Sequence, residues 1–151
     1  MGVAGEVSLK YVIVYWSTYG NGKKLVDRLA ATLKASGGQV QVFSTEDADP
    51  RGLPVADCYV FSAPTQMGRL VGRMRRFLKH LRGLEGKSYG IVNTHGLLSG
   101  GRLGKMEKVL SKMGMVKRAE LDVLVGKDSQ MGNALPLGWE GLVDGFAARL
   151  K

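Results

Sequence analysis

The stretch Trp16-Ser17-Thr18-Tyr19-Gly20-Asn21-Gly22-Lys23-Lys24 concentrates hydroxyls, glycines and cations directly behind an apolar run and directly ahead of a helical pattern. Residues of these types in that place suit the binding of a phosphate. A helix start presents backbone N–H groups without intrahelical partners and the positive end of the helix dipole, so an anion is held there by hydrogen bonds and field together. Ser17, Thr18 and Tyr19 add hydroxyl donors, and Gly20 and Gly22 let the main chain come close to the ligand. Two other phosphate loops are disfavoured by the residues at their fixed positions. A Walker loop needs glycine at position 17 and Ser or Thr at 24, where Ser17 and Lys24 stand. A dinucleotide fingerprint on Gly20 and Gly22 needs a third glycine at 25, where Leu25 stands. A Gly-rich connection with an ordinary helix cap is the plain alternative.

Other reactive groups are few. Cys58 is the one cysteine of the chain, which excludes an internal disulfide and a thiol pair and suits a reducing compartment. It reads as a small buried hydrophobe. Of the two histidines, His80 sits in a basic helical segment and His95 in a Gly-rich loop. No residue is assigned as catalytic, and none as a metal ligand.

The elements that must position the loop follow from alternation. Five short apolar, β-branched and aromatic runs, Tyr11–Tyr15, Val40–Phe43, Tyr59–Ser62, Tyr89–Asn93 and Leu121–Val125, are separated by segments of helical period, the signature of a parallel sheet with helical crossovers. The first run is apolar without alternation and belongs mid-sheet, buried on both faces. Leu25, Val26, Leu29, Ala30 and Leu33 mark one side of a helix that ends near Gly37-Gly38. Val71, Met74, Phe77, Leu78 and Leu81 mark a second, Leu103, Met106, Val109, Leu110 and Met113 a third, and Leu142, Val143, Phe146, Ala147 and Leu150 a last one. Between Thr45 and Asp57, Pro50, Gly52 and Pro54 break any helix, so that crossover is a loop or a turn. Right-handed crossovers then give an α/β fold in which the loops at the strand carboxyl ends form the binding crevice. With 151 residues, the chain is read as one domain, 1–151.

The loop after the first strand resembles the phosphate loop of the flavodoxin-like FMN-binding family, flavodoxins and related NAD(P)H:quinone oxidoreductases. Ser17, Tyr19 and Gly20 match the Ser-x-Tyr-Gly form of the quinone-reductase branch, while Gly22 replaces a position that often carries a hydroxyl. Ser62-Ala63-Pro64-Thr65-Gln66-Met67-Gly68 with the helix behind it looks like the family's Pro-Thr-x-x-Gly flavin loop, and Asn93-Thr94-His95-Gly96 stands where relatives wrap a Gly-rich loop around the ring. The resemblance implies a flavodoxin-like doubly wound five-stranded parallel sheet, order 2-1-3-4-5, with helices on both faces. It implies FMN as cofactor, with Ser17, Thr18, Tyr19, Gly20, Asn21 and Gly22 at the phosphate. Pro64, Thr65, Gln66, Met67 and Gly68, and Thr94, His95 and Gly96, would border the isoalloxazine. Met67 departs from the aromatic residues common there. The function implied is electron transfer. The alternatives are an NAD(P)H-dependent FMN quinone reductase and a cofactor-free binding module.

Charge adds a direction. The net charge is +9, yet residues 69–87 hold seven basic residues against one acid and residues 102–118 six against one, so outside these segments acids outnumber bases. The basic face around Arg69–Arg82 is either a solvated surface or a docking site for a redox partner protein or NAD(P)H. Nucleic acid is disfavoured, since no aromatic residues interleave with the cations. No apolar run reaches the roughly 18 residues of a membrane span, and no signal peptide pattern opens the chain, which reads as cytoplasmic.

Overall fold

In a computed structural model that describes residues 8–66, 69–96, 103–126 and 134–151, the first apolar run forms β1 (Lys10–Tyr15) and the pattern behind it α1 (Asn21–Ala35). The chain continues through β2 (Gln39–Ser44), β3 (Cys58–Gln66), β4 (Arg69–Leu70), α2 (Gly72–Lys79), β5 (Ser88–His95), α3 (Leu103–Lys112), β6 (Val116–Leu124) and α4 (Trp139–Arg149). The sheet order is β2-β1-β3-β5-β6, with every one of these pairs parallel. Counted over the long strands alone, this is the expected 2-1-3-4-5. The two-residue β4 pairs antiparallel with the end of β3, Thr65 opposite Leu70 and Gln66 opposite Arg69.

The helix after β1 stops where the glycines stand. Gly37 adopts φ +96°, its N–H donates to Lys34 O, and Gly38 N–H donates to Leu33 O at 2.9 Å. These two bonds close a left-handed C-terminal cap that glycine adopts without strain. The second crossover is non-helical, as its prolines dictate, and Tyr59 holds it. The buried Tyr59 hydroxyl donates to Pro54 O at 2.7 Å and accepts from Ala56 N at 3.0 Å.

Three strands differ in extent from the sequence expectation, and one of them, β5, runs on through Thr94 and His95, which the sequence places in a Gly-rich loop. β3 runs on through Pro64, Thr65 and Gln66, which were assigned to a loop. The proline is tolerated because β1 has already ended. Ser62 O accepts from Trp16 N just past β1, and Pro64, two residues further along the same edge, gives its carbonyl to Val71 N, so its missing N–H costs no ladder bond there. β6 starts at Val116, five residues earlier than Leu121, with Ala119, Leu121 and Val123 buried between exposed neighbours. Its charged opening, Val116-Lys117-Arg118, hides a strand that lies at the edge of the sheet, where charged side chains are usual.

The core lies on both faces of the sheet. Val12, Val14, Tyr59, Phe61, Tyr89 and Ile91 pack against Met74, Phe77, Met106 and Leu110 of α2 and α3. Tyr11, Ile13, Val60 and Val92 pack against Leu25, Leu29 and Leu33 of α1 and Phe146 of α4. β1 therefore buries alternate residues on opposite faces, as its unbroken apolar run requires, and each such side chain contributes about 1.5–3 kcal/mol. α1 and α4 are also joined at their outer side. Arg28 donates to both Asp144 oxygens and Thr32 Oγ1 to Asp144 Oδ1, which holds the Asp144 carboxyl below its ordinary pKa.

Gly90 of β5 faces α4, and a Cβ added there would lie 2.6 Å from Leu150 Cδ2 and 2.8 Å from Phe146 Cζ. Gly90→Ala is expected to lower unfolding free energy by about 1–3 kcal/mol through overpacking, measured by urea denaturation; an unchanged midpoint contradicts the packing described. Burial pushes the Cys58 thiol up to about 12 from 9.0. The unfolded thiol ionises first, so the stability tied to this burial is whole below about pH 9 and is lost as pH climbs toward 12. A thiol reagent near about pH 8 should accordingly modify native protein only as fast as the chain unfolds. Rapid labelling would show an accessible thiolate instead.

Candidate functional site

The parallel order carries the ends of β1, β3 and β5 to one rim, and the order in which the chain adds strands to the sheet reverses between β1 and β3. Registry sets the heights. Tyr15, the last residue of β1, pairs with Ser62, and Pro64 pairs with Thr94. The segment 16–22 therefore lies beside the ends of β3 and β5, and all the described candidate residues gather on that rim. Met67 and Gly68 lie outside the described residues.

The turn from β1 into α1 is made by one glycine. Gly20 is the N-cap of α1 at φ 97°, ψ −11°, with no side-chain cap and no acidic residue in the first turn. Only glycine enters this left-handed corner without strain. Gly20 N–H donates to Ser17 Oγ at 3.1 Å, which leaves the serine O–H free to donate outward. The first intrahelical bond runs from Lys24 N to Gly20 O at 3.1 Å, so the amides of residues 21–23 precede it in the helix. Thr18 is exposed, and Tyr19 is 45% exposed. Lys24 forms no ion pair with a described residue, whereas Lys23 pairs with Asp27 at 2.6 Å, a bond that raises the lysine pKa and keeps it a cation.

This corner fits a phosphate. Its donors are main-chain amides and hydroxyls, the first turn has two cations and no carboxylate, and the cap position is left without a side chain. At Gly22 an added Cβ would meet Ser17 Oγ at 3.5 Å and Trp16 O at 3.8 Å, ordinary contact distances. Room therefore exists at the place where a hydroxylated residue is common in the resembling family.

Several candidate side chains turn inward rather than toward a ligand. Asn21 is 5% exposed, and its Oδ1 accepts from Ala134 N at 3.2 Å. The helix start is thereby tied to the segment behind β6, where Gly126 N also donates to Ala134 O. Thr65 is buried, and its hydroxyl donates to Asn93 Oδ1 at 2.8 Å, while Asn93 Nδ2 donates to Ala63 O at 2.7 Å. Thr94 is buried too. Gln66 is half-buried at the end of β3 and Gly96 exposed just past β5.

Four residues that the sequence reading left unassigned support the rim. Asn93, fully buried, fixes the end of β5 to the end of β3. A polar amide at the end of the apolar run Tyr89–Asn93 was the available signal. Trp16 lies under Arg73 of α2, with the guanidinium 4.2 Å from the ring centroid, and Arg73 is ion-paired with Glu46 behind β2. Asp122 of β6 accepts from His95 Nδ1–H at 2.8 Å, which orients the ring and directs Nε2 away from the carboxylate. These contacts join residues far apart in sequence, so spacing gives no trace of them.

A parallel sheet of this order, with an anion corner at the switch point, defines an α/β protein that holds a nucleotide-like cofactor at its carboxyl rim. The flavodoxin domain model matches residues 12–128, and the chain belongs to the flavodoxin family, FMN-binding proteins of electron transfer. Solved structures agree in fold. A flavodoxin from Streptococcus pneumoniae TIGR4 matches with TM-score 0.75 at 22% identity, covering 93% of this chain and 97% of that one. The two-electron reduced flavodoxin of Megasphaera elsdenii gives 0.74 at 22% identity, covering 91% and 98%. Oxidised flavodoxin 1 of Bacillus cereus gives 0.79 at 16% identity, covering 93% and 96%. No helix among the described residues is long and apolar enough to cross a membrane.

Replacing Asn93 by Ala removes the amide that links Thr65 to Ala63 and leaves both partners buried. Asn93→Ala is expected to cost about 1–3 kcal/mol of stability and to weaken flavin binding, read from urea curves and from flavin fluorescence quenching. Loss of neither would show that the rim does not depend on this bridge.

Proposed function

We propose that residues 1–151 act as one flavodoxin-like domain and an electron carrier whose FMN phosphate is held by the corner after β1. Ser17, Thr18, Tyr19, Gly20, Asn21 and Gly22 form that cradle. Ser17 and Thr18 donate through hydroxyls, Gly20 shapes the corner, and Asn21 and Gly22 contribute main-chain amides, the Asn21 side chain being engaged with Ala134. Pro64, Thr65, Gln66, Met67 and Gly68 border one side of the isoalloxazine, and Thr94, His95 and Gly96 the other. When bound, FMN supplies the redox chemistry, and the protein supplies position and electrostatics. His95, its Nδ1 engaged by Asp122, would have Nε2 left to hydrogen-bond the polar edge of the ring. No acid, base or nucleophile of the protein is required.

The observation that carries this reading is Gly20, a left-handed cap with no side chain over it, at the start of a fifteen-residue helix with no acid in its first turn. The family match favours the carrier over the quinone reductase and over a flavin-free module. A redox partner protein docks on the basic face around Arg69–Arg82, with NAD(P)H as the rival donor. The lone cysteine, a buried thiol, accords with a reducing compartment, and we place the protein in the cytoplasm.

The phosphate is the discriminating group. Calorimetry or fluorescence quenching should show FMN binding far more tightly than riboflavin, and Ser17→Ala should weaken FMN by about tenfold or more, the worth of a hydrogen bond to a charged group, with riboflavin unaffected. Equal affinity for the two flavins would remove the cradle. Stopped-flow mixing of the FMN-loaded protein with NADPH or NADH should give no rapid flavin bleaching; fast bleaching would make it a reductase.

A further inference from the structure

α2 and α3 lie side by side on one face of the sheet, and a groove of about 310 Å³ runs between them, lined by Leu70, Arg75, Leu78, Lys79, Lys105 and Val109. Its floor is aliphatic and its rim cationic. α2 follows the end of β3 and the short β4, and Leu70 of β4 lines the groove, which places one end of the groove beside the end of β3. Among the described residues, Arg75, Lys79 and Lys105 have no ion-pair partner, because the nearby acids are engaged elsewhere. Glu46 pairs with Arg73, and Glu107 and Glu120 both pair with Lys117. The segments that carry these helices hold the excess of cations, while acids outnumber bases over the remainder of the chain. The uncompensated charge is therefore concentrated on the segments that carry the two helices, and three of its cations line the groove.

We infer that this groove is the docking site of an acidic partner protein, received as a segment whose carboxylates meet Arg75, Lys79 and Lys105 while an aliphatic side chain enters between Leu78 and Val109. Apolar contact supplies affinity there, and the charges supply approach and register, so binding falls with salt. A nucleic acid fits less well, because no aromatic ring lines the groove on which a base can stack. That the partner exchanges electrons with this protein rests on the flavin reading above; the binding does not.

The test uses a fluorescein-labelled helical peptide of glutamate with leucine at i, i+3, i+4 and i+7, the same peptide with serine for leucine, and a single-stranded oligodeoxynucleotide of equal charge. Anisotropy titrations of the full chain at about 0.01 M and about 0.15 M salt should show the leucine peptide binding tightest, and more weakly at the higher salt. Lys79→Glu with Lys105→Glu should lower its affinity at least tenfold, and Val109→Asp should abolish the preference for leucine over serine. The double charge reversal should keep the wild-type circular dichroism melt and flavin absorbance; Val109→Asp, whose side chain packs partly against the core, should melt earlier but keep its folded circular dichroism spectrum at the titration temperature. Oligonucleotide binding as tight as the peptide's, equal binding of the serine peptide, or indifference to the charge reversals would overturn the proposal. If FMN fails to bind while the peptide results hold, the groove stands and only its redox purpose falls.

Discussion

The corner between β1 and α1 is the constraint on which the rest of this structure depends. A strand buried on both faces must hand over to a helix packed on one of them, and the chain makes that reversal within residues 16–20. Gly20 in the left-handed region accomplishes it, and the helix it opens leaves the amides of residues 21–23 ahead of the first intrahelical bond. Fold and ligand thus ask for the same backbone. A side chain on Gly20 would strain the corner, and a carboxylate in the first turn would repel the anion that the helix end attracts.

Around this corner the rim is held by polar contacts between strand ends rather than by apolar packing, which thins out there. Asn93 bridges β5 to β3, Asn21 reaches Ala134, Asp122 steadies His95, and Arg73 lies over Trp16. The first and third join strands already paired in the ladder, and the other two tie a helix to a residue outside the ladder. The interior positions of the same strands are hydrophobic and need no such help. The division is physical: Asn21, Thr65 and Asn93 are buried at this rim, and a buried polar group is tolerated only where it finds fixed partners.

The strand and helix positions were legible in the sequence because they rest on periodicity, while the sheet order was implied by the family resemblance; the apolar stripe of α1, its glycine stop and the unalternating run of β1 are local facts. The start of β6 was not legible. Val116-Lys117-Arg118 reads as a charged loop until its place on the sheet edge is known. The end of β3 was obscured by Pro64, whose compatibility with a strand depends on where β1 ends, a property of two elements and not of one. In the candidate site, the glycines and hydroxyls of residues 17–22 were visible as a pattern. The inward roles of Asn21 and Thr65 were not, since a side chain's partner more than 25 residues away leaves no mark on its own segment.

The crossover from β2 to β3 has a further significance. It lacks a helix and is fastened mainly by the Tyr59 phenol and by Arg82 N–H on Pro50 O, with Arg51 and Gly52 exposed at its tip. Local opening that permits amide exchange is therefore cheap at this exposed tip. The same tip is the natural point at which a second module can be grafted into the chain, since extra residues there lengthen a loop without entering the core.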